Sequence, residues 1–256
     1  MGYYDLPAVI DFILGATESK NLAYVGHSQG TTELLTLLAT RPEYNEKIRV
    51  AALMAPVAFL DRTKGTVRIL AAFNGLLSRI AKLLGIYKVL TNSYWIHFVD
   101  TTLCEKTAPT ILLCENFLFA LSGFDRQQFN MSLLPLIADQ GPSGASIKQL
   151  EHFGQLSNNG GKFTMFDYGR RSNMQRYGTP HPPEYKLSNV KVPVHLHYGL
   201  NDWISGVQDV TKLSRLLSNC TVKPVPYPKF MHLDFLWAKD VDKLLYRDMI
   251  SMIGDR

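Results

Sequence analysis

The sequence predicts an α/β fold built on parallel strands and interrupted by a mostly helical insertion. Three observations predict it. Residues 1–58 alternate helix and strand patterns, residues 188–256 resume that alternation, and residues 59–187 change to helical spacing with a tail rich in Gly, Asn and Pro. Short apolar strands separated by helical segments form parallel sheets with helical crossovers. The two outer stretches therefore read as one core and the middle stretch as an insertion.

Each element has its own signature. Asp5 before Leu6-Pro7 reads as an N-cap with proline in the first turn, and Val9, Ile10, Ile13 and Leu14 supply an apolar helical face. Residues 22–25 form a short apolar strand pattern, and the run after Thr31 places Leu34, Leu37 and Leu38 on one helical face. Residues 49–57 read as a second strand that Pro56 helps to end. In the insertion, Ile69, Phe73, Leu76, Leu77, Ile80, Leu83, Leu84 and Tyr87 fall at helical spacing, and 111–121 is another apolar helix. These apolar faces read as core, with a lipid-binding groove as the other reading. Residues 192–198 form a strand ending at Gly199-Leu200-Asn201-Asp202, and 207–217 is a helix. Pro224 and Pro226 make the last strand, 221–227, an edge, and a helix over 234–253 closes the chain.

Composition excludes several function classes. With 46% hydrophobic and 19% charged residues, the 256-residue chain has the balance of a folded globular protein rather than a disordered one. Its formal charge of +5 is scattered, so it reads as a solvated surface and not as a nucleic-acid site. The most apolar long stretch, 69–90, is broken by Asn74, Arg79, Lys82 and Lys88, which makes an amphipathic helix rather than a membrane span. The first residues lack the basic and apolar regions of a signal peptide. Of three cysteines, Cys104 and Cys114 are near enough in sequence to close a small loop, leaving Cys220 over. Asn130 and Asn219 begin the sequons Asn130-Met131-Ser132 and Asn219-Cys220-Thr221.

The chemistry is carried by Gly26-His27-Ser28-Gln29-Gly30, set between a strand and a helix. This is the context of a nucleophile elbow, a sharp turn in which small neighbours tolerate a strained serine and lift its hydroxyl above the sheet. Serine is a weak nucleophile unless a histidine takes its proton and a carboxylate orients that histidine. In α/β-hydrolases the order is serine, acid, histidine, on loops after successive strands. Asp202 follows one late strand and His232 the next, at the sheet edge where open α/β folds bind ligands. His27 reads as a packing or hydrogen-bonding residue. His195 and His197 share a strand face but have no third metal ligand near in sequence, and His97, His152 and His181 read as surface or loop residues. Asp234 suits the dipole of the last helix, and Asp209 and Asp240 lie in helical stretches. This chemistry calls for no cofactor and no metal.

The sequence resembles the acid lipase family, which includes gastric and lysosomal acid lipases and related insect lipases. The resemblance runs end to end through Tyr4-Asp5-Leu6-Pro7, the elbow with Thr31, Ala55-Pro56-Val57, Cys114-Glu115-Asn116, Gly123-Phe124, Asn130-Met131-Ser132, Asp167-Tyr168-Gly169, Pro182-Pro183-Glu184-Tyr185, Asn201-Asp202-Trp203 and His232-Leu233-Asp234-Phe235. It implies a partial α/β-hydrolase fold with a helical cap, and hydrolysis of neutral lipid acyl esters such as triglycerides or steryl esters. It further implies Ser28, Asp202 and His232 as the catalytic triad, the Gln29 backbone N–H as an oxyanion donor, and a secreted or lysosomal home. A Cys104–Cys114 disulfide is also implied, with Ser122 where the family has another cysteine. In the family, earlier strands and a His-Gly loop with the second oxyanion donor precede the matched region. The expectation is therefore of a chain corresponding to the later part of the fold, with the strand at 22–25 left as an apolar edge. A lipid-binding chain that keeps the three residues while impaired in catalysis is the alternative.

Overall fold

The computed structural model describes residues 1–89, 111–134, 136–137 and 144–254. Helix α1 (Asp5–Thr17) leads to strand β1 (Leu22–His27), helix α2 (Gln29–Thr40), a 3-10 turn and strand β2 (Ile48–Met54). The insertion holds α3 (Gly65–Ala72), α4 (Asn74–Leu83), β3 (Lys88–Val89), α5 (Ile111–Ser122), β4 (Ala145–Ser146), α6 (Ile147–Asn158) and α7 (Arg170–Tyr177). The alternation returns with β5 (Val194–Tyr198), α8 (Val207–Leu216), β6 (Cys220–Pro224), α9 (Asp234–Trp237) and α10 (Arg247–Gly254).

Four strands form one parallel sheet in the order β1-β2-β5-β6, so β1 and β6 are its edges among the described residues. A parallel sheet covered on both faces needs a central strand that is apolar throughout, and β2 buries every residue but Arg49. Its side chains alternate between two cores. Ala51 and Leu53 join the larger one with Leu34, Leu35, Leu37 and Leu38 of α2, while Ala52 and Met54 join a second with Phe230, Phe235 and Leu245. The first core also takes in Leu156, Phe163 and Leu187 from the insertion. Leu35, outside the face read from the sequence, is fully buried in this core as well.

Four readings from sequence are corrected. Asp5 is the first residue of α1 and Tyr4 its cap, with the Asp5 carboxylate 3.0 Å from the Met1 ammonium. The apolar run from Ile69 splits at Phe73, and Ile69, Phe73, Leu76 and Leu83 are exposed among the described residues rather than core. The split lets Asn74 Nδ2 donate to the Glu151 carbonyl at 2.9 Å where α4 crosses α6. The closing helix is interrupted after Trp237, because Ala238 pairs as a β-bridge with Phe129 and the Lys239 N–H donates to the Gln128 carbonyl. Asp240 therefore sits in this break and not in a helix.

The chain carries no described helix long and apolar enough to cross a membrane. The four-stranded parallel sheet with its helices is a partial α/β-hydrolase fold with a mostly helical cap insertion.

Candidate active site

The serine sits where the sequence puts it, at the turn from β1 into α2. Ser28 has φ 53° and ψ −115°, a left-handed conformation that costs a non-glycine residue about 1–3 kcal/mol. The surroundings hold it there: the Ser28 N–H donates to the Met54 carbonyl at 3.0 Å, and Thr31 Oγ1 donates to the Ser28 carbonyl at 2.6 Å. Thr31 Oγ1 in turn accepts from the Val57 N–H at 2.8 Å, and Thr32 Oγ1 donates to the Val57 carbonyl. These threonines tie the elbow to the loop after β2, a role for which an ordinary first helical turn gave no signal.

The two flanking glycines differ. A Cβ on Gly26 would lie 2.7 Å from Tyr24 Cε1 and 3.1 Å from the Gly30 carbonyl carbon, so the close approach of α2 to β1 demands glycine. A Cβ on Gly30 would meet only Tyr24 Oη, at 3.5 Å, an ordinary contact. That hydroxyl donates to the Gly30 carbonyl at 2.8 Å, and burial pushes the Tyr24 phenol pKa up.

The structure brings Ser28, His232 and Asp202 together. Ser28 Oγ donates to His232 Nε2 at 2.7 Å, and His232 Nδ1–H donates to Asp202 Oδ2 at 2.8 Å. His232 and Asp202 are buried, while Ser28 is half-buried at their open end. Asp202 Oδ1 accepts from the Ile204 and Ser205 N–H groups, both at 2.8 Å, which fixes the carboxylate in one orientation. Such a relay can move a proton from the hydroxyl to the imidazole while the carboxylate holds the tautomer. The Gln29 N–H is the first of α2 and so has no partner within the helix, next to Ser28 at the positive end of the helix dipole. The Gln29 side chain donates to Glu33 Oε1 at 2.7 Å and accepts from Gln149 Nε2 of α6, linking the elbow to the insertion.

His27 points away from the relay's open end. Its Nε2–H donates to the His232 carbonyl at 3.0 Å, and burial lowers its pKa to about 4, so it is a neutral clamp on the His232 loop. His152 is a correction: it is half-buried on α6 and donates to the Thr164 carbonyl at 2.9 Å, so it is not a surface residue. His181 is exposed, and His97 lies outside the described residues. His195 is hydrogen-bonded to Thr221, and among the described residues no cluster of His, Cys, Asp or Glu suits a metal ion. Cys114 is disulfide-bonded, Cys104 lies outside the described residues, and Cys220 is a free, half-buried thiol whose pKa burial raises to about 11. Asn219 is exposed before β6, whereas Asn130 is half-buried and its side chain accepts from the Ser132 N–H at 3.1 Å.

A joint that the sequence did not reveal ties together the loops that carry Asp202 and His232. The Ser122 carbonyl, at the end of α5, accepts from the Trp203 N–H at 3.3 Å and from the His232 N–H at 3.4 Å. Gly123 follows at φ 117°, and a Cβ there would fall 2.4 Å from the Asn201 carbonyl oxygen. One turn of the insertion thus touches both the acid loop and the histidine loop.

Comparison with known proteins fits this arrangement. The chain is 38% identical over 255 residues to Lipase 3 of Drosophila melanogaster, covering 99% of this chain and 64% of that protein. It is 36% identical over 256 residues to the gastric triacylglycerol lipase of Bos taurus, covering 100% of this chain and 63% of that protein. The chain is a homologue of the acid lipases. It spans between 56% and 64% of the length of the curated acid-lipase relatives it matches. The monoglyceride lipase of Saccharomyces cerevisiae superposes with a TM-score of 0.57 at 19% identity, covering 99% of this chain and 68% of that one, a likeness of fold. No protein-family model matches the chain.

Proposed function

We propose that this acid lipase homologue supports acyl-ester hydrolysis of neutral lipids through a covalent acyl-serine. The observation that carries the reading is the continuous relay from Ser28 Oγ to His232 to Asp202, at 2.7 and 2.8 Å. Ser28 Oγ attacks the ester carbonyl carbon while His232 Nε2 takes its proton, and the oxyanion that forms is received by the Gln29 N–H. The C–O bond to the alcohol breaks as His232 returns the proton to that oxygen. Water then gives a proton to His232 and attacks the acyl carbon, and the carboxylic acid leaves as Ser28 regains its hydrogen. Asp202 holds the imidazole in one orientation.

Triglycerides or steryl esters are the proposed substrates. The names of the lipase relatives support this, as does the exposed apolar surface of α3 and α4. In this reading residues 1–58 and 188–256 are the hydrolase core and 59–187 the cap that receives the acyl chain. A secreted or lysosomal location, with Asn219 as the better-exposed sugar acceptor and a Cys104–Cys114 disulfide, completes it.

A fluorophosphonate probe, which reports an activated serine, tests the chemistry. The chain is expected to label and Ser28→Ala to remain unlabelled. Asp202→Asn is expected to slow labelling by about 10⁴, as replacing the acid of a serine triad does. A folded parent that never labels defeats the reading.

A further inference from the structure

The loop after β2 is buried although it lies beyond the sheet. Ala55, Pro56 and Val57 are all inaccessible, and Ala55 holds φ 48°, in the left-handed region that favours glycine. Backbone groups buried away from water need partners. The Ala55 N–H finds one in the sheet, donating to the His197 carbonyl at 2.9 Å. The next groups are served by side chains from two other loops: the Pro56 carbonyl accepts from Ser205 Oγ at 2.7 Å, and the Val57 N–H donates to Thr31 Oγ1 at 2.8 Å. Thr31 and Ser205 are both fully buried.

The same two residues also hold the relay. Thr31 Oγ1 donates to the Ser28 carbonyl at 2.6 Å, and the Ser205 N–H donates to Asp202 Oδ1 at 2.8 Å. Ser28 and Asp202 are therefore joined twice, once through His232 and once through Thr31, Val57, Pro56 and Ser205. Every side chain in the second path is short. The Thr31 hydroxyl gives its hydrogen to one partner and a lone pair to the other, which leaves it a single useful rotamer. Ser28 and Ala55, the two strained residues beside this path, keep their conformations only where the surroundings fix them.

We propose that Thr31 and Ser205 are positioning residues for the relay, joined through Val57 and Pro56 into a strut that fixes the spacing of Ser28 and Asp202. The proposal rests on reading Ser28, His232 and Asp202 as a hydrolytic relay. Both hydroxyls are buried and already engaged, so they act through Ser28 and Asp202 and not on the substrate. Proton transfer from Ser28 to His232 depends on their separation, and the strut sets it from the far side of the acid. Removing the Thr31 hydroxyl frees the Ser28 end, and removing the Ser205 hydroxyl frees the Asp202 end. Either cut opens the whole path, so the second cut adds nothing.

The test compares the full chain with Thr31→Val, which removes the hydroxyl, Thr31→Ser, which keeps it, Ser205→Ala, and the double variant of Thr31→Val with Ser205→Ala. Fluorophosphonate labelling at a range of probe concentrations separates the maximal rate from the half-saturating concentration. Proton NMR reads the downfield Nδ1–H that His232 shares with Asp202. Thr31→Val and Ser205→Ala are each expected to lower the maximal rate by about 10 to 10²-fold at an unchanged half-saturating concentration, as displacing a reacting group by up to about 1 Å does. Thr31→Ser should label at close to the parent rate. The resonance should shift in Thr31→Val, whose lost hydroxyl bonds only Ser28 and Val57. The double variant should label no more slowly than the slower single one, because members of one network do not add. Folded variants that label like the parent overturn the strut, as does Thr31→Ser labelling as slowly as Thr31→Val. An unmoved resonance in Thr31→Val, or a double variant whose loss is the product of the single losses, overturns it too. Should a variant without the hydroxyl fail to fold, amide exchange on the parent decides: Val57 and Ser205 are expected to open together with equal protection, and a difference beyond about tenfold overturns the strut. A folded parent that never labels sinks the hydrolase reading, and the resonance in Thr31→Val then judges the strut alone, supporting it if shifted and overturning it if not.

Discussion

The two glycines of the elbow, taken as single residues, make different demands. Gly26 is fixed by contact, since any Cβ would strike Tyr24 and the backbone of Gly30. Gly30 has room for a methyl group and sits in the first turn of α2. Gly26→Ala is therefore expected to destabilise the fold by about 1–3 kcal/mol, the usual cost of overpacking, and to abolish probe labelling. Gly30→Ala should change stability by less than about 1 kcal/mol, because alanine is the better helix former, and should retain labelling. Denaturant melts and labelling of the two variants side by side check this. Motif spacing announces both glycines equally, and only the approach of helix to strand separates them.

At the scale of elements, the decisive contact is the turn after α5 against the loops that follow β5 and β6. Gly123 occupies it at φ 117° with the Asn201 carbonyl where a Cβ would be. Gly160 also has positive φ, but open space surrounds it. Gly160→Ala should cost only the backbone strain, about 1 kcal/mol, and leave labelling intact. Gly123→Ala should cost at least about 2 kcal/mol and slow labelling, because the added methyl group wedges the acid loop away from the histidine loop. Urea melts paired with labelling rates distinguish the two. The interruption of the last helix belongs to the same contact, for Ala238 and Lys239 give their backbone groups to the segment at Gln128 and Phe129. A helical pattern read along the chain carries no trace of a partner more than a hundred residues away.

At the scale of the molecule, buried ionisable groups shape stability against pH. His27 and His197 are held neutral by burial, with pKa values lowered from 6.5 to about 4, while that of Asp234 is raised from 3.8 to about 8. Between about pH 4 and 6.5 the unfolded chain binds two histidine protons that the native state refuses, against one that Asp234 keeps in the native state. Stability from these groups therefore rises with pH in that window. Above pH 6.5 only the Asp234 term remains: its stabilisation is fully present below the unfolded pKa and is lost as pH rises through about 8. Thermal melts of the chain should peak near pH 6.5 and decline on either side. Asp234→Asn should remove the decline between pH 6.5 and 8 and keep the acid one; an unchanged alkaline decline in that variant would contradict the assignment.

The alternation of strands and helices, the serine between β1 and α2, and an acid and a histidine on successive later loops are all legible in the residues alone. Those features are local in the chain: hydrophobic period, glycine placement and order are all written within a few residues. Tertiary structure alone decided that Gly26 is obligatory and Gly30 is not, that the apolar faces of α3 and α4 are exposed, and that Ser122 and Gly123 reach the histidine loop. It also decided that Asp234, which reads as a helix-dipole residue, is buried with its carboxylate accepting from the Met231 N–H. Burial and the distance between residues far apart in sequence set these outcomes, and both arise only when the chain has packed.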